Sequence, residues 1–215
     1  MNLKEAAQTY RPVWEKIHAE YPRMPFWRFT AEAKRLIEIA SDARQLINKN
    51  ILDLGSGSKE HADQGPLPLR MWNRIFNYGE YTRFHPWYAR TAHAAGAKVT
   101  AVDIASNEDE EFQSLQMDLM NPDALSILDD ESVDAVNNMC LTAPRDSKRA
   151  SSGTSPAIMW KLGMDHEAAF KLNDQIAEQV RRILREGGTY TLSEFVYKKK
   201  KGKLKRVRVM EGLGA

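Results

Sequence analysis

The sequence predicts an α/β fold, a mostly parallel sheet of about six strands, the last one antiparallel, flanked by helices. Three observations predict it. First, short apolar or β-branched runs (ILDLG, KVTAVDI, LQMDL, VDAVNNM and TYTLSEFV) recur between helix-compatible stretches, the alternation of parallel strands joined by crossover helices. Second, a glycine-punctuated turn follows the first run, and acids stand at the ends of the next two. Third, the segment TYTLSEFVYKKKKGKLKRVRVM reads as two strands with a tight turn at about Gly202, which puts the last strand antiparallel beside the fifth.

The elements follow in order. Leu3, Ala6, Ala7, Tyr10, Val13, Trp14 and Ile17 recur at helical spacing, and Pro12 should kink or divide that helix. Thr30 is a plausible N-cap for a second helix with Ala33, Leu36, Ile37, Ala40, Ala43 and Ile47 on its apolar face. These make residues 1–49 a helical segment, ahead of a main domain over 50–215. The first crossover helix is expected near 86–95. A long helix entered at about Asp165 should bury Ala169, Leu172, Ile176, Val180, Ile183 and Leu184 and end at Gly187 and Gly188.

Composition narrows the class. The chain has 215 residues, 42% apolar and 28% charged, with a net charge of +2, as in an ordinary globular protein. The charge is uneven, because Lys198, Lys199, Lys200, Lys201, Lys203, Lys205, Arg206 and Arg208 follow one another with no acid among them. An edge strand loaded with lysine resists edge-to-edge aggregation; a phosphate-binding patch is the other reading. A single cysteine, Cys140, excludes an internal disulfide and fits a reducing compartment. No apolar run approaches the ~20 residues of a membrane span, and the start MNLKEAAQTYRP lacks the pattern of a signal peptide. The expectation is a soluble cytoplasmic protein with no membrane partner.

The chemistry begins at Ile51-Leu52-Asp53-Leu54-Gly55-Ser56-Gly57-Ser58, where alternate glycines let the backbone bend and approach a ligand closely. A dinucleotide fingerprint would need a third glycine where Glu60 stands. The next strand ends in Asp103, an acid placed to accept hydrogen bonds from both hydroxyls of a ribose. The third should end at Met117-Asp118-Leu119, giving a second acid at the same edge. Asp118 could also cap a helix starting near Asn121. Asn138 lies where the fourth strand runs out, and its amide could serve local backbone groups as readily as a ligand.

These motifs, in this order over about residues 50 to 197, resemble those of the class I S-adenosylmethionine-dependent methyltransferases. ILDLGSG is similar to the family's glycine-rich first motif, AVDI to its second and QMDLMNP to its third. VDAVNNMCL resembles the strand beside the transferred methyl group, and LREGGTYTLSE the family's helix, Gly-Gly turn and fifth strand. The resemblance implies a Rossmann-like sheet and S-adenosyl-L-methionine as cofactor. It places Gly55, Ser56 and Gly57 against the methionine portion, with Asp53 supporting that loop. Asp103 and Ile104 fall at the ribose, Asp118 and Leu119 at the adenine, and Asn138 near the sulfonium.

Two departures matter. Asp103 follows Gly57 by 46 residues, where one crossover unit would place the acid roughly 20 residues on. An insertion over about 59–85 accounts for the excess. Residues 72 to 88 hold seven of the chain's aromatics, with Arg70, Arg74, Arg83 and Arg90 interleaved or close by. Trp72, Tyr78 and Tyr81 are candidate substrate-binding residues, as a lid or pocket wall, although plain packing and base stacking also use such rings. The second departure is a shortened far edge of the sheet, for which the helical N-terminus, by covering a face, or a partner subunit in a homodimer could compensate.

His61 and His85, flanking the insertion, are candidate catalytic bases because histidine titrates near neutrality. No histidine pair has metal-ligand spacing, so no metal is expected. The functional expectation is methyl transfer to a small-molecule acceptor. The alternatives are RNA, DNA or protein methylation through the basic hairpin, an NAD-dependent oxidoreductase, and a non-catalytic cofactor-binding module.

Overall fold

The computed structural model describes residues 8–20, 33, 36, 39, 43–58, 86–138, 141–146, 163–193 and 195–209. The expectations placed on His61, His85, Trp72, Tyr78, Tyr81 and Cys140 lie outside those residues, as does the 59–85 insertion.

The fold is α/β and Rossmann-like. Its described elements are α1 (Arg11–Glu20), β1 (Asn50–Leu54), α2 (Trp87–Ala94), β2 (Lys98–Asp103), β3 (Gln113–Gln116), β4 (Val133–Asn138), α3 (His166–Ile183), β5 (Leu184–Leu192), β6 (Phe195–Lys200) and β7 (Lys203–Val209). The strands form one seven-stranded sheet in the order β3-β2-β1-β4-β5-β6-β7. The pairs β2–β3, β1–β4 and β4–β5 are parallel, while β5–β6 and β6–β7 are antiparallel. By contacts the chain divides into two compact units: Met1–Lys49 with Ser56–Met117, and Asn50–Gly55 with Asp118–Ala215.

In the first unit, α1 starts one residue before Pro12, so the proline falls in the first turn, where its missing N–H is no loss. Tyr10, Val13 and Ile17 are buried along one face, and α1 packs against α2. Helix α2 stands where the crossover helix was expected and buries Trp87, Tyr88, Ala89 and Ala92. Arg90 of α2 holds the Glu110 carboxylate with both sides of the pair largely buried. Ala33 and Leu36 are buried, but Ile47, expected on the same apolar face, is 55% exposed. The chain tightens into a 3-10 turn at Ala43–Leu46, which ends the 3.6-residue period before Ile47. Strand β3 is shifted toward the N-terminus of the predicted run and keeps only its Leu115 and Gln116: Met117, Asp118 and Leu119 follow the strand rather than close it. Backbone pairing to β2 from Thr100↔Gln113 to Asp103↔Gln116 fixes its position, so the ladder overrides a weak hydrophobic signal.

In the second unit, α3 has the amphipathic face its sequence predicts. Asp165 is its N-cap, accepting from the Ala168 N–H at 2.8 Å. Ala169, Leu172, Ile176, Val180 and Ile183 are buried. The helix does not end at Gly187 and Gly188. Its last residue is Ile183, and the chain enters β5 at Leu184 without a connecting loop. The glycines instead lie in an irregular stretch of β5: Val133 of β4 pairs with Leu184, and Ala135 with Thr189. Gly187 there has φ +79°.

The sheet has seven strands rather than six because the predicted fifth strand divides in two. Ser193, at φ +52°, turns the chain back, and Leu192 pairs with Phe195. As a result β7 lies beside β6, and β6, not the last strand, lies beside β5. No described helix is long and apolar enough to cross a membrane.

Candidate functional site

In the first unit, Ser56 and Gly57 are held by Asp103 at the end of β2 and by Asn107 in the segment after it. The Ser56 N–H donates to the Val102 carbonyl at 3.2 Å. The Asp103 carboxylate then accepts from the Gly57 N–H at 2.8 Å with one oxygen and from the Ala105 N–H at 3.2 Å with the other. Asp103 is buried, so both bonds are charge-assisted in surroundings that water screens little. Gly57 has φ +84°, a conformation that costs other residues strain. Asn107 completes the brace: its side-chain amide donates to the Gly57 carbonyl at 2.8 Å and contacts the Ser56 hydroxyl at 3.4 Å.

The predicted strand-end acid is therefore where the sequence puts it, and it organises the glycine turn. Ile104, directly after it, is 53% exposed. Asn107 escaped the sequence reading. It lies in the polar stretch ASNEDE, and nothing local marks a partner 50 residues back.

In the second unit a polar row crosses three parallel strands at one level, since Asp53 is in register with Asn137 and Asn137 with Thr191. The Asn137 amide donates to the Asp53 carboxylate at 2.6 Å. The Thr191 hydroxyl donates to the Asn137 side-chain oxygen at 3.0 Å. All three side chains are buried. Asp53 was expected to support the loop; its shown partner is Asn137, a residue the sequence reading did not single out.

Asn138 takes part in a second buried network. Its side-chain amide donates to the Thr142 hydroxyl at 2.9 Å and the Tyr190 hydroxyl at 3.2 Å, and its oxygen accepts from the Thr142 N–H. The Thr142 hydroxyl donates onward to Asn173 of α3 at 3.0 Å. Burial pushes the Tyr190 phenol well above its usual range, opposed by the hydrogen bond from Asn138. The Asn138 side chain is thus engaged in tying β4, β5 and α3 together.

Asp118 caps locally: its side chain accepts from the Met120 N–H at 2.9 Å and its carbonyl from the Asn121 N–H. It is exposed, and Leu119 is buried. Rather than the helix expected near Asn121, the structure has a 3-10 turn at Ala124–Ile127.

Gly55 ends β1 at φ +64°, and a Cβ there would meet Leu141 Cβ at 3.0 Å. Gly55→Ala should cost about 1–2 kcal/mol from the left-handed backbone alone, plus any displacement of Leu141. Urea unfolding of the purified variant checks this, and an unchanged midpoint would refute it.

Among the described residues no group of His, Cys, Asp or Glu side chains could hold a metal ion. The arrangement defines an α/β protein with a glycine turn braced by a strand-end carboxylate. No family model matches the chain, and no curated protein matches it. Among solved structures it is similar to ligand-free aldohexose dehydrogenase from Thermoplasma acidophilum, with 13% identity and a TM-score of 0.29. That match covers 55% of this chain and 38% of the dehydrogenase.

Proposed function

We propose that this chain is a cytoplasmic S-adenosylmethionine-dependent methyltransferase acting on a small-molecule acceptor. The observation that carries the reading is the Asp103–Gly57 bond, which joins a strand-end carboxylate to a left-handed glycine turn. A strand-end carboxylate is an acceptor whose chemistry suits ribose hydroxyls. Ile104, apolar and half-exposed beside it, suits the face of a purine.

When bound, the cofactor supplies a methyl group already activated on sulfur. The chain's own task is then to orient the acceptor and exclude water, and orientation alone can supply several kcal/mol of the barrier. On this reading Gly55, Ser56 and Gly57 lie along the methionine portion, with Asp103 and Ile104 at the nucleoside. Trp72, Tyr78 and Tyr81 at the acceptor, and His61 or His85 as a base for an acceptor that must lose a proton, rest on the sequence alone.

The test is a thermal shift. S-adenosylhomocysteine at a hundredfold excess over its dissociation constant should stabilise the protein by ~2.7 kcal/mol, whereas NAD should leave the melting temperature unchanged. Stabilisation by NAD and not by S-adenosylhomocysteine would overturn the proposal.

A further inference from the structure

We propose that the exposed face of the β6–β7 hairpin is a docking surface for the phosphate backbone of nucleic acid. In the hairpin Lys198 is paired directly with Lys205, and Lys200 with Lys203. Opposed residues of an antiparallel pair project from the same face, as do residues two apart in one strand. The four lysines therefore form a two-by-two array, about 6.7 Å apart along the strands and about 5 Å across them. All four are exposed, as is Lys201 in the turn.

Fold stability does not explain this array. Like charges directly opposite one another destabilise a sheet, and here two such pairs are consecutive. Protection of an edge does not explain it either. Of the two hairpin strands only β7 is an edge among the described residues, whereas β6 has a hydrogen-bonded neighbour on each side and needs no guard.

The basic residues that the fold does use lie on the opposite face. The Lys199 ammonium is buried and donates to the Glu131 carboxylate at 3.0 Å and the Leu184 carbonyl. Arg206 pairs with Asp146 and lies over the Phe195 ring. Among the described residues no carboxylate pairs with Lys198, Lys200, Lys203 or Lys205. The turn itself is fixed, because Glu186 accepts from the Lys201 and Gly202 N–H groups. The array is thus held on a braced scaffold.

Charge complementarity calls for a polyanion, since four flexible stems in two rows can each meet a different phosphate. An anionic membrane would also attract four lysines, so lipid vesicles enter the test as a competitor. Lysine meets phosphate as a point charge, so binding should be largely independent of sequence. The inference rests on the hairpin alone, and its test needs no cofactor, so its outcome is separate from that of the methyltransferase reading.

The experiment measures fluorescence anisotropy of a short labelled single-stranded RNA with the full chain. Binding should be detectable at 50 mM salt and fall roughly 50-fold by 200 mM if four phosphates are neutralised. Replacing all four lysines with serine should abolish most of that binding and flatten its salt dependence. Lys205→Glu separates binding from folding, because it turns one repulsive cross-strand pair into an attractive one. It should keep or raise the melting temperature while weakening RNA binding by about tenfold. Wild-type affinity in either variant would overturn the proposal. So would phosphatidylserine vesicles or polyaspartate competing as well as unlabelled RNA of equal charge.

Discussion

Replacing Asp103 with alanine is expected to lower the unfolding free energy by about 2–4 kcal/mol and to weaken S-adenosylhomocysteine binding at least about tenfold. The first effect follows from the two N–H groups that Asp103 accepts, those of Gly57 and Ala105. A buried donor left without an acceptor costs about 1–3 kcal/mol. The second follows because the same carboxylate both holds the turn and, on the proposed reading, takes the ribose. Asp103→Asn keeps one accepting oxygen but sets an NH2 against the other donor, so it should fall between the two. Urea unfolding and calorimetry on the same preparations give both readouts. Lost stability with unchanged affinity would leave Asp103 a brace for the turn and nothing more.

The Asn137 substitutions should have effects as large, in the other unit. Asn137→Ala removes the donor to the buried Asp53 carboxylate and the acceptor for the Thr191 hydroxyl. A loss of about 2–3 kcal/mol is expected, from the two lost side-chain hydrogen bonds together with the cavity, with the Thr191 hydroxyl keeping its bond to the Val136 carbonyl. Asn137→Asp changes almost no volume but sets a second carboxyl against Asp53. Two carboxyls at hydrogen-bond distance hold on to a shared proton, so one folded-state pKa is raised. The folded state then binds more protons than the unfolded one above about pH 4, and stability must fall as pH rises from there. Thermal melts across the acid-to-neutral range check the sign. A variant whose stability rises through that range would mean that the two side chains do not meet.

The reach of the sequence was set by how local each signal is. Helix α3 was legible because its face repeats at helical spacing from Ala169 to Ile183 and its N-cap is an aspartate. Strands β1, β2 and β4 were legible as apolar runs bounded by turn residues, and Asp103 followed from its position at a strand end. The division between β5 and β6 was not legible. Ser193 takes a left-handed conformation that sequence usually announces with glycine, so TYTLSEFV reads as unbroken. The Lys199 ammonium is drawn inside by the Leu184 carbonyl and Glu131, partners that its run of like neighbours does not disclose. Asn107 and Asn137 belong to the same class. Each is polar, unremarkable in its own stretch, and defined by a partner 50 or 84 residues away.

That last separation has a consequence for how the protein is made. The second unit is discontinuous, with Asn50–Gly55 joined to Asp118–Ala215. Strand β1 is therefore synthesised well before β4, one of its two neighbours in the sheet, and Asp53 precedes Asn137 by 84 residues. At about 5–20 residues per second on the ribosome, β1 waits roughly 4–17 s before β4 has even been polymerised. Throughout that interval Ile51, Leu52 and Leu54, all buried in the finished sheet, have no β4 to pair with. Slowing translation between β1 and β4 should therefore lower the soluble yield, while slowing it after β7 should not.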